Sequence, residues 1–219
     1  MTSRATCLLH SGGIDSTAAL TRFLARRSRV VLLFVNYGQV SAPAELVHSR
    51  KVAEAFGIQP PVTLEVPGIG EMMRCSGLIS GLPAREQTYE HNVANEHFPG
   101  RNLMLLALAA MYAASISARR VAIGIVGKVG ARGYPDTTPG FASRADELLG
   151  QSAGIELLAP FIGWDKAQVV RYLRRSGVDL DLTYSCNLSA SAPCGSCASC
   201  VERDLALGTG HAGSTGRRK

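Results

Sequence analysis

Three short apolar runs, each feeding a segment of different periodicity, leave this chain few folds to choose from. Residues 6–9 (TCLL), 30–35 (VVLLFV) and 121–126 (VAIGIV) are rich in Val, Leu and Ile and are bounded by turn residues. Such runs suit strands covered on both faces, as in a parallel sheet. After the first, Ala18, Leu20, Phe23 and Leu24 recur at helical spacing, and residues 44–56 repeat this until GIQPP stops them. A third helix is expected over residues 103–115. Strands alternating with helices build βαβ units, so the expected fold class is α/β, an open parallel sheet with helices on both faces. The 219 residues suffice for one main core.

Two stretches break the pattern. Residues 60–98 and 127–140 are dense in Gly, Pro and polar residues and are expected to be irregular. Ligands in open parallel sheets bind beyond the carboxyl ends of the strands, so both are expected to serve as substrate loops.

A chain that is 46% hydrophobic and 18% charged is expected to fold as a soluble domain. No apolar run is long enough to span a bilayer, and the glycines at 12–13 arrive before any signal-peptide core develops, so no membrane association and a cytoplasmic location are expected. The net charge of +6 would suit an anionic partner. Its arginines, however, gather late in expected helices (Arg22, Arg26, Arg27 and Arg29; Arg171, Arg174 and Arg175), where the helix dipole favours them. Aromatics at 6% are too few to interleave with a basic stripe, so nucleic acid is not expected as the main substrate.

The first strand runs into LLHSGGIDST, residues 8–17. Adjacent glycines let backbone N–H groups close around an anion, and a helix starting just after adds its positive end. A phosphate site is therefore expected. A Walker loop would need Gly-Lys-Ser/Thr and a Rossmann turn G-x-G-x-x-G, and neither is present. A plain tight turn would leave the cluster of Ser11, Asp15, Ser16 and Thr17 unexplained.

Near the C-terminus CNLSASAPCGSCASC has the spacing C-x7-C-x2-C-x2-C over Cys186, Cys194, Cys197 and Cys200. Four thiolates this close satisfy tetrahedral Zn²⁺ with no open position, the mark of a structural site. Iron-sulfur and a C-x-x-C redox pair are the alternatives on ligand grounds. Cys7, in an expected strand, reads as a small core residue.

SGGIDS resembles the signature of the PP-loop ATP pyrophosphatases. Within that group, NYGQ (36–39), FPGRN (98–102), GYPD (133–136) and PFIGWDKAQVV (160–170) resemble the QueC family, the 7-cyano-7-deazaguanine synthases. The resemblance covers most of the chain and implies a PP-loop ATP pyrophosphatase-like domain over residues 1–183, a zinc-binding appendage over 184–207 and a flexible tail over 208–219. It implies that His10, Ser11, Gly12, Gly13, Asp15, Ser16, Thr17, Tyr37 and Lys166 bind ATP, with Asp15 acting through Mg²⁺. His10 has a second reading as a satisfied histidine at the core edge. Lys166 opens an expected helix, where a cation is unfavourable without an anion. Asp15 and Lys166 are the expected catalytic pair, and Gln39, Arg101, Asn102, Tyr134 and Asp136 the expected substrate contacts.

The implied reaction is adenylation of a 7-carboxy-7-deazaguanine-type carboxylate by ATP, followed by attack of ammonia to give an amide and then a nitrile. The implied cofactors are Mg²⁺ and Zn²⁺, and the resemblance also implies a homodimer. The chain departs from the family at Asn36, at Val40-Ser41, at Ala131-Arg132 and at Thr137-Thr138. These departures motivate a second reading in which the activated acid is joined to another amine, on a protein or peptide. A PP-loop tRNA-thiolating enzyme and a nucleotide-binding module without turnover are further alternatives.

Overall fold

A computed structural model describes residues 5–81, 96–126 and 134–209. Strand β1 (Thr6–Leu9) leads through the glycine loop into helix α1 (Ile14–Ala25), then β2 (Val30–Asn36), α2 (Ala42–Ala55) and β3 (Val62–Glu65). Two single-turn helices, α3 (Gly68–Glu71) and α4 (Gly77–Ser80), precede α5 (Arg101–Ser115), β4 (Arg120–Ile123) and α6 (Pro139–Ala153). The chain ends in β5 (Glu156–Leu158), α7 (Lys166–Arg175) and α8 (Ala198–Leu207).

The five strands form one sheet in the order β3-β2-β1-β4-β5, and every pairing is parallel. The register places Leu8 beside Leu32 and Ala122. These three residues face one apolar cluster with Ile14, Leu20, Phe161 and Leu173, drawn from α1, the loop before α7, and α7 itself. Their neighbours Cys7, Leu9, Leu33, Val121 and Ile123 face a second cluster with Leu106, Ala110, Leu149 and Ile155. Side chains alternate across a strand, so one sheet separates two cores, as the continuous apolar runs require. The α/β architecture expected from sequence is the one formed. Among the described residues no helix is long and apolar enough to cross a membrane.

Three expectations need correction. Residues 60–98 do not form one irregular excursion: β3 pairs with β2 and the two helical turns follow it. The third strand stops at Ile123 rather than Val126, and Gly124 to Val126 line the cleft instead. The stretch 127–140 is not loop throughout, because Thr138 caps α6 by accepting a hydrogen bond from the Phe141 N–H and Pro139 occupies the first turn. Residues 127–133, including Ala131 and Arg132, lie outside the described residues, as does the tail beyond residue 209.

Candidate functional site

Strand order reverses at β1, whose chain continues to β2 on one side while β4 returns on the other. A crevice opens where the two connections diverge, and it is there that open sheets bind ligands. A cleft lies at this point, lined by the glycine loop, the exits of β2 and β4, the start of α5, and residues from α7 and α8.

The glycine loop is shaped by what it packs against. Gly12 has φ +74°, and a Cβ there would fall 2.7 Å from the backbone of His48 and 2.9 Å from Glu45 O, so only glycine lets the loop rest on α2. Inside the loop Ser11 Oγ accepts from the Gly13 N–H at 3.3 Å, and Ser16 Oγ donates to Gly13 O at 3.1 Å. No side chain caps α1, whose N-cap is Gly13. Its first-turn N–H groups therefore face the cleft with the positive end of a twelve-residue helix behind them, which suits an anion. The exit of β4 supports the same point, since a Cβ on Gly124 would stand 2.6 Å from the Asp15 backbone.

Asp15, in the first turn of α1, forms an ion pair with Lys166, the first residue of α7. Asp165 and Gln168 build a reciprocal capping box that fixes where α7 begins and so where Lys166 stands. The Lys166 ammonium also lies 3.7 Å from the Glu202 carboxylate on α8. Burial works against the lysine charge, but Asp15 and Glu202 outweigh it and hold the pKa above its ordinary value. The Oδ1 atom of Asp15 is buried with no hydrogen-bond partner, leaving lone pairs for a cation. A hard divalent cation such as Mg²⁺ fits that donor.

His10 is 1% exposed and lines the cleft. Its Nδ1 stands 2.7 Å from Ser49 Oγ, whose hydroxyl donates to His10 O. That arrangement assigns the proton to Nδ1 and leaves Nε2 an acceptor without a partner. Only half of the imidazole is satisfied, and burial pushes its pKa down to about 3.

Ser11, Gly13, Asp15, Ser16, Tyr37, Gln39, Arg101, Asn102, Tyr134 and Lys166 join His10 around this one cleft. Three expected site residues do not line it. Gly12 backs onto α2, Thr17 is fully buried beneath the loop, and Asp136 acts one step away. Asp136 Oδ2 accepts from the Asn102 N–H at 3.1 Å while the Asn102 amide donates to Asp136 O at 2.9 Å, pinning the start of α5. The amide of Gln39 is committed to the fold: it donates to Val35 O and Glu45 and accepts from the Tyr37 N–H.

Glu45 carries the charge that Gln39 braces. It receives hydrogen bonds from Gln39 and Ser41 and lines the cleft, and burial raises its pKa despite those bonds and nearby Arg101. Arg101 is paired with the Tyr37 hydroxyl, and Tyr134 stacks on His97 at 5.5 Å between ring centres. The Thr137 hydroxyl donates to Tyr134 O, closing the turn that presents that tyrosine.

Glu45 and the residues the cysteine segment contributes were missed at the level of sequence. Tyr184, Ser185, Asn187, Ser199, Glu202 and Arg203 all line the cleft. Tyr184 N–H donates to Gly12 O at 2.9 Å, and buried Glu96 accepts from Asn187 and from the Ala198 N–H at the start of α8. Arg203 donates to Thr183 Oγ1, Ser185 Oγ and Leu180 O. Nothing in the local pattern around Glu202 distinguishes it from a solvated helix residue.

The Sγ atoms of Cys186, Cys194, Cys197 and Cys200 all lie within 4.8 Å of one another. Ligands about 2.3 Å from a tetrahedral Zn²⁺ stand about 3.8 Å apart, so small adjustments complete the set. The N–H groups of Cys194, Cys197 and Cys200 donate to Sγ of Cys186, Cys194 and Cys197 respectively. Donors aimed at sulfur favour a thiolate at Cys194: although burial opposes it, the Ser196 and Cys197 donors draw that thiol down to about 6, whereas burial pushes the thiols of Cys197 and Cys200 up. The donor set fits zinc.

A family model described as queuosine biosynthesis protein QueC matches residues 5–210. The 7-cyano-7-deazaguanine synthase 1 of Desulfitobacterium hafniense is 36% identical, with 91% of this chain and 90% of that protein covered. The 7-cyano-7-deazaguanine synthase of Marinobacter nauticus is 35% identical, with 90% and 89% covered. Among solved structures, NMN synthetase from Francisella tularensis superposes with a TM-score of 0.51 at 14% identity, covering 96% of this chain and 79% of that one, a likeness of fold alone.

Proposed function

This chain belongs to the QueC family, and from that premise we propose that it is an ATP-dependent carbon–nitrogen ligase acting on 7-carboxy-7-deazaguanine. The observation that carries the reading is the meeting of Asp15 and Lys166 at an uncapped helix N-terminus, where the sheet opens. Phosphates of ATP belong at the glycine loop, with the first-turn N–H groups of α1 and the Ser11 hydroxyl as donors. Asp15 offers its unpartnered oxygen to Mg²⁺, which when bound neutralises phosphate charge.

The substrate carboxylate oxygen attacks the α-phosphorus, the bond to the β-phosphate bridge breaks, and pyrophosphate leaves. Lys166 stabilises the charge that develops, since its ammonium is fixed by the capped helix start and kept protonated by its two carboxylates. Ammonia then attacks the acyl carbon and AMP departs, giving the amide; a second activation of the amide oxygen by ATP dehydrates it to the nitrile. Arg101, beside Tyr37 and Tyr134 at the mouth of α5, is suited to orient the substrate's carboxylate or carbonyl. Zn²⁺ would be held by the four cysteines as a closed structural centre that keeps α8 on the cleft.

Incubation with ATP, Mg²⁺, ammonium and 7-carboxy-7-deazaguanine tests the reading, with pyrophosphate and product mass followed together. Nitrile product is the expected result. Pyrophosphate or adenylate without amide or nitrile would move the assignment to another amine acceptor, and no turnover with this acid would overturn it.

A further inference from the structure

His10 spends three of its four polar groups on the fold and leaves the fourth unused. Its N–H donates to Leu33 O at 2.9 Å, its carbonyl accepts from the Ser49 hydroxyl at 3.1 Å, and its Nδ1 stands 2.7 Å from the same hydroxyl oxygen. The single proton of Ser49 Oγ goes to the His10 carbonyl, so the bond to Nδ1 must use the ring's own proton. Nε2 is then an acceptor, and it has no hydrogen-bond partner in a residue that is 1% exposed. A buried acceptor without a donor costs stability, and in a residue that lines a cleft it marks where a ligand supplies the missing partner.

The chemistry of that partner is restricted. Burial keeps the imidazole neutral, so it has no charge for an anion, and a phosphate oxygen has no proton to give. A neutral hydroxyl or amino donor is required. The strand register runs from Leu9 beside Leu33 and Ile123, so the next position sets His10 beside Phe34 and Gly124. Alternation puts His10 on the face of the sheet that carries Leu8, whose apolar cluster also holds Ile14 and Val126. Phe34, Ile14 and Val126 line the cleft with it. Apolar walls with one oriented acceptor suit a flat heterocycle bearing an amino group better than a sugar, which brings several hydroxyls to satisfy. The phosphate loop starts at the next residue, Ser11, so the base of a nucleotide held there is one sugar away from this wall.

We propose that His10 Nε2 accepts a hydrogen bond from the 6-amino group of the ATP purine, and that Ser49, by holding the ring proton on Nδ1, is the positioning residue that makes the cleft choose a 6-amino over a 6-oxo purine. A 6-oxo purine would set an acceptor against an acceptor. Moving the ring proton to Nε2 would not relieve this, because Nδ1 would then need the Ser49 proton and leave the His10 carbonyl bare. The selection rests on the ATP reading above and adds to it the group that reads the base.

Calorimetry of ATP, ITP, 2′-deoxy-ATP and 3′-deoxy-ATP binding to wild type, His10→Phe and Ser49→Ala tests the assignment without the acid substrate. Wild type is expected to bind ATP at least about thirtyfold more tightly than ITP. His10→Phe should lose at least about tenfold in ATP affinity and bring the two nucleotides within about threefold of each other. Ser49→Ala frees the tautomer, so ITP should gain on ATP by at least about fivefold. Equal affinities in the wild type, or an equal loss for both nucleotides in His10→Phe, would overturn the proposal. So would a deoxy nucleotide that costs the wild type as much as ITP does and costs His10→Phe nothing, since Nε2 would then hold a sugar hydroxyl. If His10→Phe does not fold, Ser49→Ala decides, and an unchanged ATP-to-ITP ratio overturns it. Absence of ATP binding by the wild type would overturn the ATP reading itself, whereas ATP binding without turnover of 7-carboxy-7-deazaguanine would overturn only the choice of acid.

Discussion

Lys166 and Asp15 are 151 positions apart in the chain, and their side chains form an ion pair at the glycine loop. Each sits in the first turn of its own helix, and α1 and α7 pack against each other on the same face of the sheet. The pair therefore closes the site and joins the two ends of the domain.

A double-mutant cycle of Asp15→Asn and Lys166→Met in unfolding experiments should give a coupling energy of about 1–3 kcal/mol. Either single change should lower acid-dependent pyrophosphate release by at least about a hundredfold. Additive stability effects would show that the two charges do not support each other.

Removal of zinc should loosen α8. Chelation, or Cys200→Ser, is expected to lower the thermal midpoint by several degrees and to reduce turnover in parallel, because α8 carries Glu202 into the cleft. Metal analysis should return one zinc per chain in the wild type, and retained activity in metal-free protein would sink the idea.

His10 supplies a pH dependence whose sign follows from its burial. The folded pKa is depressed to about 3 from an ordinary 6.5, so the unfolded state binds the extra proton first. Its contribution is complete above about pH 6.5 and is lost on acidification by up to about 1.4 kcal/mol per pH unit. Urea unfolding between pH 7.5 and 5 should show this slope in the wild type and a shallower one in His10→Phe; parallel slopes would contradict the assignment.

Gly124→Ala tests the close approach of β4 to the loop. A Cβ at 2.6 Å from the Asp15 backbone cannot be relieved by rotating a side chain, so the start of α1 must move. A loss of about 1–3 kcal/mol in stability and weaker ATP binding by calorimetry are expected. Wild-type affinity in this variant would mean that the β4 exit does not position the loop.

The buried strands were legible because their two-sided apolar runs have no other stable home, and α1, α2 and α5 because their apolar residues recur at helical spacing. The strand β3 was not: its four residues pair only along one side, and Val62 is 40% exposed, so no strong pattern marks it. Helix α6 was hidden by its own start, because TTPG reads as a turn until Thr138 is seen as a cap with Pro139 in the first turn. The cysteine spacing pointed to the cluster that the four sulfurs form, since ligand number and separation along the chain are local properties.

Local chemistry thus specified the parallel α/β sheet, the glycine loop at 11–17 and the four-cysteine cluster, each of which depends on residues close in sequence. Folding across the sheet settled the rest: the ion pair of Asp15 with Lys166, the commitment of the Gln39 amide to Val35, Tyr37 and Glu45, and the entry of Glu202 into the cleft. These relations join helices and loops far apart in the chain, and a side chain's charge or hydrogen-bonding capacity becomes a function only when packing decides what faces it.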